Sequence, residues 1–283
     1  MNRRIFIRTT SLAIGGLILA PNIACSSERL IGLQIYSVRN AIKQDLNGTL
    51  AKLAEMGYTS IEHAGYNNGL FYGLKPTEFK NLVESFGMKL LSGHAGMSPT
   101  ASDDNWKEII SANAEAGLKY LVVPSIGGQH RNSQDALKRT ADGFNRMGEI
   151  CNNHGLRFAY HNHAFEFEKV EGKKIYDTLL DETDPDLLTM EMDLYWTYRG
   201  NNDPLEYFEK YPGRFELWHV KDMEAGEELF FAEVGHGIID FEKIFAAKKQ
   251  AGLVYYFVEQ DASRRDPMES VKMSAEFLQK TGY

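Results

Sequence analysis

What most constrains this chain is a rhythm: short apolar runs that read as strands alternate eight times with segments of helical spacing. The strand-like runs fall at residues 30–36, 59–63, 88–94, 120–124, 156–161, 188–193, 215–219 and 254–259. The helical segments fall at 46–56, 76–86, 106–116, 136–154, 175–182, 204 onward, 241–251 and 267–279, and Gly57, Gly87, Gly117, Gly155 and Gly252 stand where five of them stop. Asp203-Pro204 reads as a helix start, an N-cap followed by proline in the first turn. No low-complexity linker or shift in composition divides the series. Strict alternation at this length predicts an α/β fold, a single closed (β/α)8 barrel of parallel strands over 26–283. An open doubly wound sheet would carry a glycine-rich dinucleotide turn after its first strand, and that turn is missing.

The runs also end alike. His161, Asp193, His219 and Glu259 close the fifth to eighth, separated by 32, 26 and 40 residues, each one βα unit. A parallel barrel gathers such ends at its C-terminal mouth, so the four side chains are expected to converge. His163 follows His161 by two residues, and on an extended chain both imidazoles face one way, which suits a metal ion or an acid/base pair.

Charge narrows the partners. The formal net charge is -8, and a nucleic-acid partner is excluded because such proteins present a basic stripe. Residues 1–25 read as an export signal: Arg3-Arg4 is similar to a twin-arginine motif, and residues 12–20 form an apolar core too short to span a bilayer. Without the three arginines of that segment the chain would carry about -11. The expected destination is the periplasm or, through lipidation of Cys25, the membrane surface. Cys151 is the only other cysteine; on its helical pattern it reads as a small buried apolar residue, and no disulfide is expected.

Five stretches resemble the xylose-isomerase-like, or sugar phosphate isomerase/epimerase, superfamily. They are Gly32-Leu33-Gln34-Ile35-Tyr36-Ser37-Val38-Arg39, Ile61-Glu62-His63-Ala64-Gly65-Tyr66, His219-Val220-Lys221-Asp222, Val234 through Phe241, and Val258-Glu259-Gln260-Asp261. The resemblance implies a TIM barrel whose metal is held by Glu, Asp, His and Glu from strands five to eight. It places Asp193, His219 and Glu259 in the last three roles and His161 in the first, a departure from glutamate. Two imidazoles and two carboxylates suit Mn²⁺, Co²⁺, Zn²⁺, Fe²⁺ or Ni²⁺ and disfavour Mg²⁺.

The implied reaction is metal-dependent proton abstraction beside the carbonyl of a sugar or keto-sugar, with Glu259 and His163 as base and acid. The likeness to dehydratases makes His163 and Lys221 suited to proton transfer or carbonyl polarisation, while Lys221 reads alternatively as the partner of Asp222 or another nearby carboxylate. Return of the proton gives an isomerase or epimerase, the leading expectation. Expulsion of a β substituent gives a lyase or dehydratase, favoured to the extent that His161 breaks the two-glutamate scheme. A non-catalytic sugar-binding protein on the same fold is the third reading. Tyr36, His63, His94, Glu166 and Trp196 form the expected substrate-binding set, with Trp196 offering a stacking face. His63 and His94 read equally well as wall histidines, and Glu166 as part of a solvated strand. An exported protein meets few sugar phosphates, so the expected substrate is an unphosphorylated sugar or glycoside.

Overall fold

The computed structural model describes residues 31–283. Residues 1–25, where an export signal is expected, and with them Cys25, lie outside the described residues.

Eight parallel strands close into a barrel. They are β1 (Gly32–Gln34), β2 (Ser60–His63), β3 (Lys89–His94), β4 (Tyr120–Val123), β5 (Arg157–His161), β6 (Leu188–Asp193), β7 (Leu217–Val220) and β8 (Tyr255–Val258). Each pairs with its sequence neighbour and β8 returns to β1, so no edge is left open. The intervening helices are α1 (Leu46–Glu55), α2 (Pro76–Ser85), α3 (Asp103–Glu115), α4 (Gln134–Asn153), α5 (Ile175–Glu182), α6 (Pro204–Lys210), α7 (Phe241–Ala246) and α8 (Pro267–Thr281). The α/β barrel expected from the alternation is the fold observed.

Differences from the sequence reading lie at the ends of elements and in the loops. A separate turn, Lys248–Ala251, follows α7 where one continuous helix was expected. The βα loops carry extra pieces: the helices Arg39–Gln44 and Leu194–Arg199 and three small hairpins, Tyr66–Asn67 with Leu70–Phe71, Lys169–Val170 with Lys173–Lys174, and Asp222–Met223 with Phe231–Ala232. Two-residue strands carry no readable period, which is why the pattern passed over them.

Two apolar regions hold the fold. The larger fills the space between barrel and helices; Phe144 of α4, for example, meets Phe158 and Tyr160 of β5 at 5.7 and 5.2 Å between ring centroids. Cys151 lies in it as a buried free thiol. The smaller, Leu91, Tyr120, Val122, Ala159, Leu217 and Phe257, occupies the barrel interior. Toward the C-terminal mouth the interior turns polar, with Gln34, Glu62, Ser92, His94, Glu191 and His219 all buried.

Asp222 fastens the loop after β7. Its carboxylate accepts from the backbone N–H groups of Met223, Gly235, Gly237 and Ile239 at 2.8–3.1 Å. A Cβ on Gly237 would lie 2.2 Å from the Met223 carbonyl oxygen, so only glycine lets the backbone approach this closely.

Candidate metal centre and active site

His161, Asp193, His219 and Glu259 converge at the barrel mouth. One donor atom from each lies within 4.8 Å of the other three, and all four residues are buried. Local structure aims each one. His161 ends β5, and its Nδ1–H donates to the Pro124 carbonyl at 3.2 Å, which turns Nε2 inward toward Asp193 Oδ2 at 3.4 Å. Asp193 ends β6 and serves two masters: Oδ1 accepts from the Trp196 backbone N–H at 2.8 Å and caps helix Leu194–Arg199, while Oδ2 faces the cluster. His219 lies beside Asp193 in register on β7. Its Nδ1 meets Glu259 Oε2 at 2.8 Å, and its Nε2 meets Glu62 Oε2 at 2.6 Å. Both partners are acceptors, so the ring carries two protons in this arrangement and yields the one on Nδ1 when it acts as a ligand.

Lys221 completes the group. Its buried ammonium lies 2.9 Å from Asp193 Oδ2, 2.7 Å from Glu259 Oε2 and 2.6 Å from Asp261 Oδ2. Burial opposes that charge, but the three carboxylates outweigh it and raise the Lys221 pKa well above the usual lysine value. Burial likewise pushes Asp193 and Glu259 upward, yet Lys221 and the imidazoles prevail, holding Asp193 at about 2 and Glu259 well below the ordinary range. For His219 burial is again overcome, here by Glu191 and Glu259, and the pKa rises well above 6.5. Two nitrogen and two oxygen donors in a buried, preformed cluster fit a divalent ion with affinity for N/O ligands.

The cluster opens on a cleft of about 390 Å³ whose walls include Tyr36, Tyr66, His94, His163, Glu259 and Asp261. Of the expected substrate-binding residues, Tyr36 and His94 line it. Tyr36 is 43% exposed, with Arg39 lying 4.3 Å over its ring. His63 does not line the cleft. It is fully buried, with Nε2 3.0 Å from Asn113 Oδ1, its ring 4.2 Å from Phe71, and burial lowering its pKa to about 4. The absence of a Cβ on Gly93 makes room for that imidazole. His63 is therefore a wall histidine, the second of the two readings its position allowed.

Glu166 is also corrected. The chain turns at Phe165–Phe167 instead of continuing as a solvated strand, and Glu166 folds beneath the cleft. Its Oε1 accepts from the Tyr160 hydroxyl at 2.5 Å and its Oε2 from the His163 backbone N–H at 2.8 Å. Burial raises its pKa to about 7 against both hydrogen bonds. His163 sits directly above. Its ring stacks on Phe165, 5.8 Å between centroids, and stands 5.5 Å from Trp196, while its buried Nδ1 has no hydrogen-bond partner. Burial, aided by His161, lowers the His163 pKa to about 3, so the ring is neutral at physiological pH. Trp196 covers the Lys221 ammonium at 5.7 Å together with Phe231. Lys221 is enclosed by Asp193, Glu259, Asp261 and these aromatics, so it reaches the cleft only through its carboxylate partners. That corrects the expectation that it polarises a substrate carbonyl directly.

Three polar residues were missed by the sequence reading: Glu62, Glu191 and Asp261. Glu191 sits two residues before Asp193 on the same face of β6, a lone acid between Met190 and Met192, and that spacing was a readable signal. Asp261 was visible only as part of the Val258–Asp261 stretch and carried no role.

The closed (β/α)8 barrel thus carries a buried cluster of N and O donors at its C-terminal mouth. Residues 50–281 match the family model of the xylose isomerase-like TIM barrel, and the chain belongs to that family. A sugar phosphate isomerase/epimerase from Parabacteroides distasonis is 32% identical, with a TM-score of 0.80 over 89% of this chain and 98% of that one. An inosose dehydratase from Geobacillus kaustophilus is 25% identical over 81% of this chain and 85% of its own length. The IolI protein, solved with a bound zinc atom, shares the fold at 14% identity and a TM-score of 0.69, over 89% of this chain and 97% of that one.

Proposed function

We propose that this chain is a metal-dependent carbon–oxygen lyase acting on an unphosphorylated keto-sugar or cyclic keto-polyol. The observation that carries the reading is the unequal pair of proton-transfer groups on the cleft: neutral His163 with its unpartnered Nδ1, and Asp261, whose pKa is raised by burial against the pull of Lys221. Epimerisation through opposed glutamates would need a second carboxylate where His161 stands. The inosose dehydratase relatives support elimination over the isomerase expectation.

His161, Asp193, His219 and Glu259 would hold the ion, with Mn²⁺, Co²⁺, Zn²⁺, Fe²⁺ and Ni²⁺ suited to the donors and Mg²⁺ disfavoured. An ion held by these residues would supply Lewis-acid polarisation of the substrate carbonyl, which would make the adjacent C–H more acidic. His163, whose imidazole lines the cleft, takes that proton. The C–H electron pair becomes a carbon–carbon double bond as the β C–O bond breaks, and Asp261 supplies a proton to the departing oxygen. Glu259, engaged by Lys221 at 2.7 Å and by His219 at 2.8 Å, serves as ligand. Lys221 fixes Glu259 and Asp261 and neutralises their charge, a positioning role. Among the described residues the named walls of the cleft bear two carboxylates and no lysine or arginine, which favours hydroxyl-rich, unphosphorylated substrates.

A metal-loaded sample in D₂O, given free ketoses, keto-inositols and 3-keto-glycosides, tests this. A lyase releases water or an aglycone and leaves an unsaturated ketone of lower mass. A product of unchanged mass apart from one deuterium would instead establish the isomerase reading, which the Parabacteroides relative's name favours. Binding without turnover of any of these sugars would favour the non-catalytic reading.

A further inference from the structure

We propose that Glu62 is a positioning residue of the metal centre, holding the Nε2–H of His219 so that Nδ1 is presented to the ion. The inference rests on the reading of His161, Asp193, His219 and Glu259 as ligands. β2 pairs with β3 in register at Ile61 and Leu90, but the next pair is Glu62 with Ser92, so one residue of β3 is passed over at a bulge. The alternation of β2 turns the Glu62 carboxylate into the barrel beside Gln34 of β1, and the slip in β3 brings the Ser92 hydroxyl next to it. Ser92 Oγ donates to Glu62 Oε1 at 2.5 Å, and Gln34 Nε2 of β1 donates to Glu62 Oε2 at 2.9 Å. The carboxylate is thus gripped from two strands before it meets His219 Nε2 at 2.6 Å. Fully buried, it does not itself line the cleft, although it lies 3.4 Å from His94, which does.

A rival reading exists for the same atoms. Glu62, His94, Glu191 and His219 each offer a donor atom within 4.8 Å of the others, so they could be taken for a second ion site. Existing partners decide against it. His219 Nε2 with Glu62 Oε2 and His94 Nε2 with Glu191 Oε2 form buried hydrogen-bonded pairs at 2.6 Å inside the barrel. Glu62 is also committed to Ser92 and Gln34, and an ion on each nitrogen of His219 would strip the ring of both protons. Protons, not a second ion, hold the inner four together. An imidazole ligand whose far N–H is held by a carboxylate is fixed in orientation and made more basic, an effect of about 10–100-fold in metal affinity.

The test is titration of metal-free wild type, Glu62→Gln and Glu62→Ala with Zn²⁺ and Co²⁺, read by metal content per chain, together with ¹⁵N-histidine NMR of the Zn²⁺-loaded proteins. The expected result is one ion per chain throughout. Affinity should fall about 10–100-fold in Glu62→Ala and less in Glu62→Gln, whose amide oxygen still accepts the N–H. A far-downfield, slowly exchanging His219 Nε2–H resonance should be present in wild type, move upfield in Glu62→Gln and vanish in Glu62→Ala. If Glu62→Ala does not fold, the near-isosteric Glu62→Gln carries the test alone. Wild-type affinity and an unmoved resonance in a folded variant would overturn the proposal. So would two ions in wild type falling to one in the variants, which would establish the inner ion site. A wild-type chain that binds no divalent ion overturns the ligand reading itself and this inference with it.

Discussion

Lys221 Nζ lies 2.9 Å from Asp193 Oδ2, the same oxygen that faces His161 Nε2 at 3.4 Å. The chain thus carries a permanent cation against one oxygen of the cluster that it offers to a metal. Any divalent ion that enters must share its ligands with that ammonium.

Replacing Lys221 by methionine therefore has two opposed effects. The metal-free variant leaves buried carboxylates without their counter-ion and should lose about 3–5 kcal/mol of stability. Its affinity for Zn²⁺ or Mn²⁺ should rise about tenfold or more, since a neighbouring positive charge has gone. Calorimetry with and without metal checks both, the expected signature being a larger metal-induced rise in Tm for the variant than for wild type. Equal rises would show that Lys221 and the ion do not compete.

Removal of any one of the four ligands should uncouple metal from the chain. His161→Ala, Asp193→Asn and Glu259→Gln are each expected to bind metal at least ~100-fold more weakly while wild type retains one ion per chain through desalting. Plasma emission analysis of the desalted proteins gives the answer directly.

His163→Ala separates chemistry from binding. Turnover should fall by ~10²–10⁴-fold if the imidazole moves the proton, while metal content stays at the wild-type level. A loss smaller than tenfold would reduce His163 to a neighbour that orients His161.

Glu166 makes stability depend on pH in a direction opposite to most carboxylates. Its folded pKa is raised to about 7, chiefly by burial, from the ordinary value of 4.5. Below 4.5 it is protonated in both states and contributes nothing. Between 4.5 and 7 the unfolded chain releases the proton first, so stability falls as pH rises, by about 3 kcal/mol in all above pH 7. Urea unfolding of wild type and Glu166→Gln across pH 4–8 should show that slope in the first and a flatter profile in the second.

The barrel was legible because its evidence is repeated: eight apolar runs, eight helical segments and glycines at the helix ends leave few alternatives. His161, Asp193, His219 and Glu259 were legible for the same reason, since each closes a strand and the fold brings strand ends together. Glu62 was not legible. Its bond to Ser92 depends on a one-residue slip in β3, and its bond to His219 on a strand 157 residues away, neither of which leaves a mark on the local pattern. Glu166 was misread because alternation with Phe165 and Phe167 is equally compatible with a strand and with a tight turn. The enclosure of Lys221 depends on Asp261 and Phe231, brought from two separate loops, which no local spacing reveals.

Asp193 carries a constraint that reaches into how such a site can change over generations. One oxygen starts a helix and the other faces the metal cluster, so the side chain's length is fixed by two neighbours at once. A glutamate, longer by one methylene, could not serve both without unwinding the turn that holds Trp196 over Lys221. Asparagine could keep the cap but would surrender the charge. The route to new chemistry on this scaffold therefore runs through positions that cap no helix, such as 161, where an imidazole steadied by the Pro124 carbonyl can be exchanged without unwinding one.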